Sequence, residues 1–310
     1  MLSTEIRYFL AVADSGSLSA ASQQLFVATS AISRQIQRLE QDVGVALFER
    51  HARGMVLTDA GRMFEHRIRQ SQREMDSTLS EIKGLTAIRR TAIRIACTDG
   101  LAWHLLPALC SQFRQQYPSV SFHLQVGNTR QVAESLHRGE CDLALQFCLH
   151  AERGVQVAGS WPAPVLVVMS ASHPLAGKEF QLQDLSNYPV ALPDQSTTVR
   201  QLFDLSCQMN GVFIEPTITC NNFGSLYHFL TLNPLTVTLC SRYSLLYNPT
   251  EHQLVVRSLA INALTQRTLQ IHLLPGRQQS AALKLFLGFI SDQLQHQHEQ
   301  FSADNHATGR

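Results

Sequence analysis

Thr29, Ser30, Ser33, Arg34, Gln37 and Arg38 are hydrogen-bonding residues spaced so that one helix presents them together. Hydroxyls, an amide and guanidinium forks in that arrangement can pair with base edges and phosphates in a DNA major groove. Further on, Arg50, His51 and Arg53 gather beside Gly54. Cations at such a turn suit phosphate or minor-groove contacts. A second set lies in four polar turns, Thr98-Asp99-Gly100, Asn128-Thr129, Ser196-Thr197-Thr198 and Asn221-Asn222-Phe223. Each follows a strand-like run and precedes a helical one, where N–H groups and hydroxyls can collect around a small ligand. Taken singly, each residue is better explained as a helix cap. Taken together, Thr98, Asp99, Gly100, Asn128, Thr129, Ser196, Thr197, Thr198, Asn222 and Phe223 outline a binding cleft.

The elements that must hold the first set follow from apolar spacing. Ile6, Phe9, Leu10 and Ala13 mark one face of a helix that should stop near Ser15-Gly16. Ser17 or Ser19 can cap a short second helix reaching Leu25. After the turn Phe26-Val27-Ala28, a third helix is expected from Thr29 to Val43, with Ile32, Ile36, Leu39 and Val43 inward. A short helix, a tight turn and a polar-faced helix form the helix-turn-helix pattern. An ordinary helical bundle with a solvated face satisfies the same spacing. Leu47 to Thr58 then reads as a two-stranded wing with Arg50, His51 and Arg53 at its tip. Thr58 is placed to cap a long helix.

No proline occurs between Asp59 and Ile88. Phe64, Ile68, Met75, Leu79 and Ile82 make a narrow apolar seam, broken by Ser71, on a helix otherwise rich in Arg, Gln, Glu and Ser. Such a seam calls for a partner, either another helix or the chain's own downstream domain. From Thr91 onward, strand and helix alternate, which predicts a mostly parallel sheet with helices on both faces. Strands are expected at 92–97, 120–126, 142–147, 165–170, 190–192, 217–220, 235–239 and 268–274. Helices are expected at 102–116, 130–138, 199–210, 224–232 and 280–295. Trp161-Pro162-Ala163-Pro164 reads as a crossover between two lobes and 263–267 as the return. The polar residues from Gln297 read as a frayed end.

The N-terminal residues resemble the LysR-type transcriptional regulators. The matching stretches are Phe9 to Ala13, Gly16 to Ala21, Ala31 to Ile36, Leu39-Glu40, Gly44-Val45, Leu47 to Arg50 and Leu57 to Gly61, all collinear. Looser matches continue at Leu105-Leu106-Pro107, Phe113 to Pro118, Gly127 to Thr129, Leu136 to Leu145 and His173-Pro174-Leu175. The resemblance implies an α/β chain in three parts. These are a winged helix-turn-helix over 1–58, a linker and dimerisation helix over 59–90, and a two-lobed periplasmic-binding-protein-like effector domain over 91–310. Lobe I would comprise about 91–162 and 267–300, and lobe II about 163–266. The resemblance also implies operator DNA and a small-molecule effector as partners. Self-association is implied through antiparallel linker helices into dimers and homotetramers, with RNA polymerase as a further partner. Two stretches depart from the family. Ala28, Thr29 and Ser30 stand where Ser-Gln-Pro is usual, so the operator sequence does not carry over, and Ser33 and Arg34 are the best-matched contacts. Asn233-Pro234 stands in place of a glycine-rich turn.

Composition narrows the rest. Apolar residues make up 45% of 310, enough for buried cores, and no run of about 18 apolar residues predicts a membrane span. With no signal-peptide pattern either, a cytoplasmic protein with reduced thiols is expected. Residues 1–90 carry 12 Lys/Arg against 10 Asp/Glu, so DNA binding must come from placed arginines, not an overall field. No nucleotide-loop, nucleophile-elbow or metalloprotease motif is present, and no catalytic, metal or cofactor residues are assigned. Three rival functions are an enzyme, a thiol switch using Cys207 and Cys220, and a DNA binder without a ligand. Asp99 would repel an anion, no Lys lies in the four turns, and Arg130 and Arg200 are their only nearby cations. A neutral or amine-bearing ligand is therefore expected, with Asp99 either facing its amine or only capping its own helix.

Overall fold

The computed structural model describes residues 3–51, 54–84, 91–150, 152–246 and 253–307, with backbone alone at 73–74, 76–84 and 302–307. The chain divides into two compact units, Met1–Ala87 and Ile88–Arg310.

The first unit contains α1 (Thr4–Ser15), α2 (Leu18–Leu25), α3 (Thr29–Val43), β1 (Phe48–His51), β2 (Gly54–Leu57) and α4 (Asp59–Gly84). Ser3 and Ser17 cap α1 and α2 through their hydroxyls, and α1 ends at left-handed Gly16. Phe9, Val12, Ala21, Ile32, Ile36 and Leu47 are fully buried and join the three helices to the wing. Each large apolar side chain so buried contributes about 1.5–3 kcal/mol. Val43, expected inward, is exposed, because α3 ends there at left-handed Gly44. A single carboxylate fixes the wing to α3: Glu40 Oε1 accepts from the N–H groups of Leu47 (2.8 Å) and Phe48 (3.0 Å). Thr58 caps α4 by accepting from Gly61 N–H at 2.9 Å. Gly61 itself lies so close to β1 that a Cβ there would sit 2.0 Å from Leu47 O.

Phe64 and Ile68, both half-buried, pack against the core of their own unit. The Phe64 ring meets Phe9 edge-on at 5.3 Å. Arg69 ties α4 to α1 by pairing with Asp14, and also pairs with Glu65. Met75 is exposed. The side chains of Leu79 and Ile82, and all of Arg53, lie outside the described residues.

The second unit holds β3 (Thr91–Thr98), α5 (Asp99–Ala102), α6 (Leu105–Gln116), β4 (Val120–Gly127), α7 (Thr129–His137), β5 (Leu143–Cys148) and β6 (Gln156–Pro162). It continues with β7 (Leu166–Ser170), β8 (Val190–Pro193), α8 (Thr198–Met209), β9 (Ile218–Cys220), α9 (Phe223–Leu232), β10 (Val237–Cys240) and α10 (Arg242–Leu245). It ends with β11 (Leu254–Arg257), β12 (Thr268–Leu273) and α11 (Ala281–Ala307). Two five-stranded sheets result, ordered β4-β3-β5-β12-β6 and β11-β7-β10-β8-β9. In each sheet four strands run one way, as the expected mostly parallel sheet requires, and one runs against them, β12 in the first and β7 in the second. The added strands β6 and β11 were not expected. β6 shows mostly exposed side chains and ends in proline, so it lacks the buried apolar signature of an inner strand. The first crossover consequently begins at Ala163.

Asp142 closes the first lobe, accepting from the Arg94 backbone N–H (2.8 Å), the Arg94 guanidinium (2.8 Å) and Arg277 (2.6 Å). The expected helix 102–116 is broken at Trp103-His104 into α5 and α6. The expected fraying after Gln297 does not occur. Phe301 packs edge-on against Tyr243 (5.8 Å) and under Arg242 (4.5 Å), which carries α11 onward.

One residue of the first unit is held against its preference. Phe26 has φ 56°, is 96% exposed, and is the one non-glycine at positive φ among the described residues. The left-handed region costs an L-residue about 1–2 kcal/mol, less for Asn and little for Gly. Phe26→Asn or Phe26→Gly removes no buried surface and should raise the unit's stability by up to about 1 kcal/mol. Urea denaturation of the purified chain checks this; a loss of stability would mean that the Phe26 ring makes a stabilising contact.

Candidate functional site

Helix α3 presents the first polar set. Thr29, Ser30, Arg34, Gln37 and Arg38 are exposed and Ser33 is half-buried, while Ile32, Ile36 and Leu39 face the core. Arg50 is exposed on β1. The arrangement offers a protruding helix with donors on its outer face beside a two-stranded wing, and it is held rigid by the Glu40 and Thr58 contacts.

The second polar set comes together in one place. All four turns line a single cleft of about 580 Å³ between the two sheets of the second unit. Thr98, Asp99 and Gly100 stand at the end of β3, and Asn128 and Thr129 at the end of β4. Ser196, Thr197 and Thr198 stand before α8, and Asn222 and Phe223 before α9. Strand carboxyl ends and helix N-termini face each other here because both sheets run their parallel strands toward the cleft.

Capping and cleft-lining prove compatible. Asn128 and Gln131 form a reciprocal capping box at 2.9 Å. Thr197 accepts from Arg200 N–H at 3.2 Å, and Asn222 accepts from Ser225 N–H at 2.9 Å. Thr98 differs, because its hydroxyl caps nothing and is buried without a hydrogen-bond partner among the described residues.

Asp99 lines the cleft, but its carboxylate is not spent on its own helix. Its carboxylate reaches the opposite lobe and accepts from Asn222 Nδ2 (2.9 Å) and Phe223 N–H (2.5 Å). It thus occupies the N-terminus of α9, where the helix dipole favours a negative charge. Trp103 reinforces this tie, its ring centroid 5.6 Å from Phe223 and 4.5 Å from Tyr227.

Sequence reasoning missed the cation. Neither Arg130, paired with Glu134, nor Arg200, bonded to Asp204 and to Pro193 O, lines the cleft. Arg267, on the return crossover, does line it. It is 1% exposed, and burial pushes its guanidinium well below the usual arginine value, down to about 9. Its Nε donates to Ala163 O at 2.8 Å, and its Cζ lies 4.3 Å from the Phe147 ring centre. Nη1 and Nη2 are buried with no partner among the described residues. The sequence places this residue only in a connecting segment, since nothing in its immediate neighbourhood marks it as facing a cleft that Thr98 lines 169 residues earlier.

The chemistry of the remaining groups is plain. Burial pushes Cys207 up to about 11 and Cys97, Cys110, Cys148 and Cys240 up to about 12, opposite to what a thiolate switch needs. Among the described residues, no cluster of three His, Cys, Asp or Glu could hold a metal, and no helix is long and apolar enough to cross a membrane.

Comparison with known proteins identifies both units. The bacterial regulatory helix-turn-helix protein, lysR family, matches residues 3–62, and the LysR substrate binding domain matches residues 88–295. A probable nitrogen assimilation transcriptional activator of Synechococcus elongatus is 28% identical over 273 residues, 85% of this chain and 86% of its own. The RuBisCO operon transcriptional regulator of Allochromatium vinosum is 30% identical over 204 residues, 64% of this chain and 66% of its own. A variant of full-length OxyR from Pseudomonas aeruginosa shares the fold at TM-score 0.64 and 19% identity, over 94% of each chain. Full-length CbnR in complex with its target DNA does so at TM-score 0.61 and 19% identity, over 94% of this chain and 99% of that one. With its helix-turn-helix unit and its two-lobed cleft both matched in chain order, this protein belongs to the LysR family of bacterial transcriptional regulators and is not an enzyme.

Proposed function

We propose that the chain reads operator DNA with the outer face of α3 and answers to a small effector held between the lobes of its second unit. The observation that carries this reading is the convergence of four separate polar turns on one cleft in a chain that also holds a winged helix-turn-helix. On α3, Ser33 and Arg34 are the base-contacting residues, with Thr29, Ser30, Gln37 and Arg38 beside them. Arg50 and Arg53 of the wing meet phosphates. The cleft residues named above contact the effector, whose binding alters operator affinity or promoter activation. The protein works in the cytoplasm as a dimer, and as a dimer of dimers, and acts with RNA polymerase. Residues 1–58, 59–90 and 91–310 serve as reader, linker and sensor. Relatives named as regulators of nitrogen assimilation and of the RuBisCO operon support a regulatory role. With Phe64 and Ile68 engaged inside their own unit, we assign self-association to the later part of the seam, Met75, Leu79 and Ile82.

The DNA reading is tested with an operator selected from a random duplex library. An arginine fork on a guanine contributes about 1–3 kcal/mol of discrimination. Arg34→Ala should therefore weaken the selected site several-fold to about a hundredfold more than random DNA. Arg50→Ala should weaken both alike and lower the salt slope by about one. Equal loss on both DNAs for Arg34→Ala would remove its base-reading role.

Self-association has its own test. A carboxylate at Leu79 would be buried without a partner at a helix–helix seam. Leu79→Glu should lower the sedimentation mass of the full chain; an unchanged mass means that another surface holds the copies together.

The tie between the lobes can be read optically. In a Trp161→Phe background, Trp103 is the sole tryptophan. Asp99→Ala removes both cross-lobe bonds, each charge-assisted bond contributing about 1.5–3 kcal/mol. It should shift Trp103 emission to the red and raise its quenching by acrylamide, with Asp99→Asn intermediate. Unchanged emission in Asp99→Ala would show that ring packing alone holds the lobes.

A further inference from the structure

We propose that the effector is an anionic molecule, and that the Arg267 guanidinium at the floor of the cleft is the seat of its carboxylate. The inference rests on the cleft reading above and specifies what the cleft takes.

Arg267 is a planar cation removed from water, with one of its nitrogens bonded and two left over. No carboxylate forms an ion pair with it among the described residues. Charges in such surroundings are destabilising unless something neutralises them. Phe147, stacked at 4.3 Å, offsets this in part by presenting its negative ring face. It supplies no acceptor for the terminal N–H groups. The parallel N–H pair of a guanidinium matches a carboxylate better than it matches a point anion or a single carbonyl.

The surroundings complete the seat. The Thr98 hydroxyl lines the same cleft and is likewise buried without a partner. Ser244 lines it too, brought close by Gly100, where a Cβ would stand 2.7 Å from Ser244 Oγ. The cleft wall thus carries two hydroxyl-bearing residues as well as the guanidinium, donors that suit an oxyanion. The N-terminus of α9, a natural anion seat facing the same cleft, is already filled by Asp99. This inverts the expectation that Asp99 would exclude an anion, because its charge is spent across the lobes. Val126, Phe147, Phe223 and Leu239 add apolar wall, and a cleft of about 580 Å³ has room for an organic body beyond the charged end. An inorganic oxyanion would leave that wall uncovered.

The test uses melting of the full-length protein in chloride buffer. Acetate, benzoate and succinate are each compared with acetamide, benzamide and succinamide at equal ionic strength, with sulfate as the inorganic probe. The variants are Arg267→Met, Arg267→Lys and the cleft-filling Thr198→Trp. Expected is a dose-dependent rise in wild-type melting temperature with organic carboxylates and none with the amides. Arg267→Met should melt at or above wild type without additive, since it relieves an unpaired buried charge, and should lose the carboxylate response. Arg267→Lys keeps the charge without the fork and should need at least tenfold more carboxylate. If Arg267→Met does not fold, the Lys variant decides. Amides acting as well as carboxylates, or an undiminished response in both Arg267 variants, would overturn the proposal while the cleft reading stood. A response to sulfate alone would assign the seat to an inorganic anion and overturn the organic ligand. No response of the wild type to any carboxylate would overturn the proposal as well. A carboxylate response that persists in Thr198→Trp would place binding elsewhere, and the cleft reading would fall with the proposal.

Discussion

Two segments of chain connect the lobes of the second unit, and the hydrogen bonds between those segments set the geometry of everything around them. Ala163 N–H donates to Arg267 O and Val165 N–H to Leu264 O, both at 2.8 Å. Arg267 Nε returns a bond from its side chain to Ala163 O. The connection is therefore a short ladder and not two independent tethers. The same ladder holds Arg267 at the cleft floor beside Phe147 of β5. Any ligand that alters how the lobes meet must do so by interacting differently with two arrangements about this axis. The Asp99 and Trp103 contacts on the opposite walls are the natural place for that difference, because they join the lobes without being part of the ladder.

The first unit solves a different problem by similar means. Side chains that discriminate bases must be positioned to within a fraction of an ångström, so the helix that carries them needs a rigid support. Glu40 takes both N–H groups at the start of β1, and Gly61 allows α4 to meet that strand at backbone distance. The residues that give α3 its position thus lie at its C-terminal end and beyond. The exposed polar side chains proposed to face DNA, Thr29, Ser30, Arg34, Gln37 and Arg38, are left outside this support. This division explains why Leu39-Glu40 and Thr58 to Gly61 are motif positions although neither stretch faces outward with the polar set.

Much of the fold was legible because apolar spacing and turn chemistry act locally. The bounds of α3, the Ser17 cap and the Thr58 cap follow from neighbours within four residues. The convergence of four polar turns followed from one rule about strand ends. What sequence did not disclose depends on pairing between distant segments. β6 and β11 are strands because a neighbour accepts them, not through their own composition. Phe64 reads as part of an outward seam until Phe9 is found against it, 55 residues earlier. Asp99 reads as a local cap until Asn222 and Phe223 are found to bind it. Arg267 is the sharpest case, because spacing along the chain cannot show that a connecting residue lines the floor of the cleft.

Asp99 and Arg267 bring opposite charges to one cleft, and each is handled differently. Asp99 is satisfied by donors from the facing lobe, so its energy depends on how the lobes meet. Arg267 is bonded to the hinge and is otherwise unpaired, so its energy depends on what enters the cleft. Burial holds its guanidinium down to about 9, and a bound anion would draw that value back up. Ligand binding and stability of the second unit are then linked through one side chain, since whatever neutralises Arg267 also relieves the destabilisation of its burial. The same bound ligand would lie beside Thr98 and Gly100, next in sequence to the carboxylate that joins the lobes. Occupancy of the floor and closure of the walls are therefore coupled through the short α5 segment. A sensor built this way needs no long pathway, because the proposed ligand contact at Thr98 and the latch at Asp99 are adjacent residues.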